Sequence, residues 1–155
     1  MSANGIKPSA DERVMAAIAH GLVIVVYGLG AVGAVVMWLL QKEKSRYVAF
    51  QALQAAVYQL VGLLVQLIGW GCWGCLYGLS FIPMIANAEK YKDAPPSPVF
   101  FISLGLMVLP LGLMGLWILY GLWGARRAFQ GRDFRYIVLG RMLERYLGQE
   151  GETND

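Results

Sequence analysis

The sequence predicts an all-α membrane protein with three transmembrane helices, an interfacial segment after the second, and a C-terminal amphipathic helix. Two observations carry this. Hydrophobic residues make up 57% of the chain and charged residues only 15%, more apolar and less charged than a soluble domain. Asp, Glu, Lys and Arg are also absent from three stretches of 28, 42 and 32 residues (14–41, 47–88 and 94–125), each longer than the roughly 20 residues that cross a bilayer.

Residues 1–13 are polar and the apolar run behind them is too long for a signal-peptide core, so the first span is expected to stay as an anchor from about Val14 to Leu40. The second stretch would measure about 60 Å as one helix, twice the hydrocarbon thickness. It is therefore expected to leave the membrane near Gly69, where Trp70, Trp73 and three glycines gather, and to extend toward residue 88 along the interface. A polar loop, Glu89 to Pro98, precedes a third span from Val99 to about Gly124. Beyond it, Phe134, Ile137, Val138, Met142 and Tyr146 recur at helical spacing among arginines, which predicts an amphipathic helix over about 133–147 on an anionic surface. Residues 14–147 thus form one membrane domain, followed by an acidic tail, 148–155, expected to be disordered.

Three spans put nine basic residues (Lys42, Lys44, Arg46, Arg126, Arg127, Arg132, Arg135, Arg141 and Arg145) on one side and four on the other. Because basic loops stay cytoplasmic, the expectation is a bacterial inner-membrane protein with its N-terminus outside and C-terminus inside. The same rule accounts for the basic tail without nucleic acid as a partner.

The second span carries the clearest functional pattern. At 100° per residue Gln51, Gln54, Tyr58, Gln59, Gly62 and Gln66 share one arc, and amides turned to lipid would lack partners. That face must meet protein or water, which leaves hydrogen bonding inside the bundle, a partner subunit, or the wall of a hydrophilic path. His20, the one histidine, is an ionisable group inside the first apolar run. It reads either as a neutral side chain bonded to a neighbouring helix, with a glutamine of the second span as the natural partner, or as an axial ligand to a haem or pigment metal. Cys72 and Cys75 form a C-x-x-C without further cysteines. Gly74 with Gly78, and Gly71 with Cys75, give the small-xxx-small spacing by which membrane helices approach, so close packing competes with a disulfide or redox role, and a metal site lacks ligands. Gly28-x-Gly30-x-x-Gly33 sits in a membrane segment with no βαβ unit around it and is no dinucleotide site. No nucleophile triad or intramembrane carboxylate pair is present in the sequence.

Three separated signatures add a resemblance. They are Ala17-Ile18-Ala19-His20-Gly21-Leu22; Trp38-Leu39-Leu40 through the charged loop to Ser45-Arg46-Tyr47-Val48 and Phe50-Gln51-Ala52; and Gly131-Arg132-Asp133-Phe134-Arg135-Tyr136. In order and spacing the chain resembles a widespread bacterial membrane family of unknown function, similar in pattern to the small Tic-type translocon subunit of the chloroplast inner envelope. Gln51 stands where many relatives carry His, and Ile137 where they often carry Pro. The resemblance implies an all-helical integral membrane protein without a known catalytic activity. The expected function is a non-enzymatic accessory or scaffold subunit without a cofactor, whose partners are the bilayer and other membrane subunits or copies of itself. A translocon-like conduit, or a haem- or pigment-binding subunit built on His20, are the competing readings.

Overall fold

The computed structural model describes residues 7–25, 29–92, 95–137, 139, 140 and 142. All regular structure among them is helical: α1 (Ala10–Gly21), a 3-10 turn (Leu22–Ile24), α2 (Leu29–Gln41), α3 (Arg46–Leu79), α4 (Ile82–Ala86), α5 (Ala88–Tyr91), α6 (Pro98–Gly105) and α7 (Val108–Phe129). The chain divides into two compact units, one from Met1–Leu63 with Trp117–Asp155 and the other Leu64–Leu116. The predicted acidic tail and most of the predicted 133–147 helix lie outside the described residues.

Two helical stretches, Arg46–Ala86 and Pro98–Phe129, are long and apolar enough to cross a bilayer. The first apolar run differs from the single span expected. It is a pair of helices of 12 and 13 residues, about 18 and 20 Å long, neither able to cross about 30 Å alone. The 3-10 turn ends with Val25 in an extended conformation, and α2 then packs back along α1. Gly30 lies so close to the Leu22 carbonyl that a Cβ there would overlap it, so the return depends on a missing side chain. A stretch of 28 uncharged residues has room for one crossing or for a hairpin, and its length alone does not choose between them.

The caps of α1 and α3 are tied together. Ser9 and Glu12 form a capping box on α1, with Ser9 N–H donating to Glu12 Oε2 at 2.7 Å and Glu12 N–H to Ser9 Oγ at 3.2 Å. The other Glu12 oxygen accepts from the Ser45 hydroxyl at 2.5 Å, and Ser45 Oγ in turn accepts the Val48 N–H at the start of α3. α1 and α3 therefore start at the same end of the first unit and run parallel. α7 runs against α3, since Tyr58 donates to the Trp117 carbonyl (2.7 Å) and Tyr47 to the Ala128 carbonyl (3.3 Å). The N-terminal segment, the 42–45 loop and the chain after α7 consequently meet, with Arg13 and Pro8 against Gly131. This corrects the arrangement in which Lys7–Arg13 and the basic C-terminal segment lie at opposite ends.

α7 stops in a Schellman turn. Gly131 N–H bonds the Ala128 carbonyl (2.9 Å), Arg132 N–H reaches back to the Arg127 carbonyl (3.1 Å), and Gly131 takes φ of +70°, a conformation in which a Cβ is costly. Residues 132–136 then run non-helically, which corrects the start of the predicted amphipathic helix. Phe134 and Tyr136 are buried rather than turned to a membrane surface, while Ile137 and Met142 are exposed.

Packing in the first unit is of two kinds. Ala19, Ala34, Ala52, Ala55 and Ala56 let α1, α2 and α3 approach closely, while Tyr58, Phe134 and Tyr136 form an aromatic cluster with Val23, Trp117 and Tyr120 against it. In the second unit α3 continues as a helix through the glycine-rich 69–78 stretch and breaks at Ser80–Phe81. Trp70, Trp73, Tyr77, Phe81 and Phe100 contact one another ring to ring, and the Trp73 indole N–H donates to the Ser103 carbonyl at 2.9 Å. Ser97 caps α6, whose first residue is Pro98, where a missing N–H costs nothing.

The Glu12 link makes a pH-dependent prediction. Hydrogen bonds from Ser45 and Ser9 hold its carboxyl below the ordinary 4.5. The unfolded chain then takes up the proton first, so the contribution is full above pH 4.5 and fades as pH falls through the lower folded value. In detergent, wild type and Glu12→Gln should differ in melting temperature at neutral pH and converge in acid; a gap independent of pH would contradict the assignment.

Candidate functional site

The polar arc of α3 is turned into the first unit. Gln51 and Gln54 are fully buried, and Tyr58, Gln59 and Gly62 are buried beside them. Gln51, Gln54 and Gln59 each donate their amide nitrogen within the chain, whereas Gln59 Oε1 is buried without a partner among the described residues. Gln54 Nε2 donates to the Phe134 carbonyl at 2.9 Å and its Oε1 accepts the Tyr136 N–H at 3.0 Å, so one side chain satisfies the extended segment as a neighbouring strand would. Gln51 Nε2 donates to the same Phe134 carbonyl (3.1 Å) and to Asp133 Oδ1 (3.4 Å), and Gln59 Nε2 donates to the Ala19 carbonyl (2.9 Å).

These contacts fix His20. Because the Gln51 nitrogen is committed to two oxygens, its Oε1 faces His20 Nε2 at 2.9 Å and must accept, which places the imidazole proton on Nε2. Nδ1 is then bare and accepts from the Tyr136 hydroxyl at 3.1 Å. Burial keeps the Tyr136 phenol above its ordinary range, so it remains a donor. His20 is fully buried with both ring nitrogens engaged, and ligation of a haem or pigment metal would require breaking one of these bonds.

An aromatic stack closes the site from one side. Tyr58 lies between Trp117 (centroids 4.5 Å, planes 9° apart) and Tyr136 (4.0 Å, 6°), while Phe134 meets His20 edge-on at 5.6 Å. Gly62 is needed beside it, since a Cβ there would run into the Trp117 indole.

The remaining predicted residues are placed elsewhere. Gln66 belongs to the second unit, and its amide has no hydrogen-bond partner among the described residues. Gly74 and Gly78 have nothing within 4 Å of a Cβ position, and Cys72 and Cys75 are free, exposed thiols on one continuous helix. Arg127, Arg132 and Arg135 line a cavity of 330 Å³ with Trp123, and Arg126 joins Trp123, Arg127 and Arg132 around an adjoining one of 230 Å³. Arg141 and Arg145 lie outside the described residues. No group of three or more His, Cys, Asp or Glu side chains suited to a metal ion occurs among the described residues. Reading the tail as a helix misses the inward-facing roles of Phe134 and Tyr136. Aromatics two apart after Gly131 were the available signal, being the period of an extended chain.

The network predicts an order of effects. Gln51→Leu leaves His20 Nε2–H without its acceptor in a dry site and should cost about 2–4 kcal/mol of stability. Tyr136→Phe, which removes one hydroxyl, should cost about 1 kcal/mol. Unfolding of the two variants in detergent measures both, and equal losses would show that Gln51 is no hub.

No curated protein and no solved structure matches the chain. A family model does, and it supports the bacterial membrane family expected from the motifs while giving no support to a Tic-like similarity. The matched residues, 11–143, take in His20, the glutamine arc, both membrane-length helices and the Gly131–Tyr136 segment, and the chain belongs to the magnetosome magnetite crystal formation protein family, MamF/MmsF.

Proposed function

We propose that the protein is a non-enzymatic integral membrane component that supports magnetite crystal formation at the magnetosome membrane. The family match over residues 11–143 carries this reading. The glutamine arc supports an architectural role over a conduit, because Gln51, Gln54 and Gln59 turn their amide nitrogens to Phe134 and Ala19 rather than to an open path. The engaged nitrogens of His20 weigh in the same way against a haem or pigment subunit. Contact with other subunits, or with a second copy, then falls to the open part of α3 around Gly74 and Gly78.

In this reading α3 and α7 cross the bilayer and α1 with α2 forms a re-entrant hairpin, so both termini face the cytoplasm. Eleven of the thirteen Lys and Arg residues then share the cytoplasmic side, with only Lys90 and Lys92 opposite, a sharper division than three spans give. With Cys72 and Cys75 replaced by serine, a membrane-impermeant thiol reagent applied to isolated intact magnetosomes, whose outer surface is the cytoplasmic face, should label cysteines placed at Lys7 and Lys44 and spare one placed at Lys90. Labelling at Lys44 with Lys7 spared would restore the three-span arrangement.

The biological role is tested by deleting the gene in a magnetosome-forming bacterium and sizing the crystals by electron microscopy. Crystals of altered size, returned to normal by the wild-type gene, are expected. Unchanged crystals would remove the role.

A further inference from the structure

The four arginines at the end of α7 are more than a topology signal, because the chain arranges them around a hollow. Arg126 and Arg127 lie over the face of Trp123, with guanidinium carbons 5.9 and 5.4 Å from its ring centroid, so both are held on one indole. The Schellman turn at Gly131 swings Arg132 back beside them, and the chain reversal brings Arg135 to the rim. Among the described residues no carboxylate forms an ion pair with Arg126, Arg127 or Arg132. The one acidic group in the lining, Asp133, is already engaged by Arg135 at 2.7 Å and by Gln51 Nε2 at 3.4 Å. Three forked cations thus converge on cavities of 330 and 230 Å³ with no carboxylate among the described residues paired to them.

A helix C-terminus is ordinarily a poor place for an anion. Here the last carbonyls of α7 are closed by the N–H groups of Gln130, Gly131 and Arg132, and the arginines offset what remains of the dipole. The surroundings say what kind of anion fits. Leu116, Leu119 and Trp123 are exposed along the same helix ahead of the arginines, an apolar surface leading up to the cations. That sequence, acyl-compatible below and guanidinium above with an indole between, is the profile of the hydrocarbon-to-headgroup boundary.

We propose that Arg126 and Arg127, shelved on Trp123, form with Arg132 a discrete binding site for the phosphate headgroup of an anionic phospholipid. The proposal rests on the membrane reading above, with α7 crossing the bilayer. Its chemistry is bidentate guanidinium-to-phosphate pairing, with the acyl chains running down the exposed leucines of α7. The bound lipid would also fix the depth of α7 at its basic end.

The full chain, purified in a neutral detergent, is titrated with mixed micelles of phosphatidylglycerol, with micelles of phosphatidylcholine, and with inorganic phosphate, reading retained lipid by native mass spectrometry and melting temperature in parallel. Phosphatidylglycerol should be retained at one per chain with a raised melting temperature, and Arg127→Ala/Arg132→Ala should weaken it about tenfold or more. Trp123→Leu, which removes the shelf and no charge, should also weaken it, and each variant's melting without lipid reports whether it folds. Lys42→Ala/Lys44→Ala, at the same end of the first unit but outside the cavity, should bind as wild type. Equal retention of phosphatidylcholine would overturn the anion preference. Inorganic phosphate binding as tightly as lipid would leave a phosphate site without the lipid. An equal loss in the Lys42/Lys44 variant would reduce the effect to diffuse charge. Any of these in a chain that still fractionates with membranes defeats the site alone, whereas a chain soluble without detergent defeats the membrane reading first.

Discussion

The pairing of Gln51 is the constraint on which the rest of the first unit depends. An amide buried away from water costs heavily unless each of its atoms finds a partner, and Gln51 meets that requirement only when three separated parts of the chain converge. Its oxygen takes the His20 proton from α1, and its nitrogen takes the carbonyl of Phe134 and the carboxylate of Asp133 from the segment after α7. Each partner then settles something further. His20 becomes a neutral ring of one tautomer, Tyr136 is drawn in to supply the second ring nitrogen, and Tyr136 in turn stacks on Tyr58 two turns beyond Gln51 along α3. A polar network in a low-dielectric site is valuable only when complete, and this one closes on itself at His20, Gln51, Gln54 and Tyr136.

That closure explains why the chain after α7 cannot be a helix at its start. A helical segment uses its own carbonyls and N–H groups, and would leave none for Gln51 and Gln54. The left-handed turn at Gly131 ends α7 and releases an extended stretch whose Phe134 carbonyl and Tyr136 N–H are free to meet them. Alternation along that stretch also sends Phe134 and Tyr136 inward while Arg135 stays at the rim with Asp133. The Gly-x-x-aromatic-Arg-Tyr pattern therefore has a physical content: a stop, two plugs and an arginine between them.

Much of this was legible in the residues. The amides of α3 had to find company, His20 had a glutamine as its natural partner, and the helical class followed from the uncharged stretches. The form of the first apolar run was not legible, because absence of charge specifies solvent and not direction. The tie between Glu12 and Ser45, 33 residues apart, reveals that α1 and α3 start together. The tail misled for a related reason. Phe134, Ile137 and Val138 satisfy a helical period, but Phe134 and Tyr136 satisfy the extended one as well, and tertiary hydrogen bonding decided between them.

The two units are held by different chemistry, and this bears on where the protein can meet others. Between helices in lipid there is little hydrophobic gain, so cohesion comes from close packing and polar contacts. In the first unit alanines bring backbones together and buried amides make the arrangement unique, since any slip of α1 along α3 would orphan Gln51, Gln59 and His20 at once. In the second unit cohesion comes from ring contacts among Trp73, Tyr77, Phe81 and Phe100 and one indole hydrogen bond, interactions that tolerate sliding and rotation. Gly74 and Gly78 lie open in that same unit. A surface that can repack while its own chain stays joined is suited to accommodate another helix, whereas the first unit, with its donors and acceptors nearly all spent internally, has little left to offer one except the arginines at its rim.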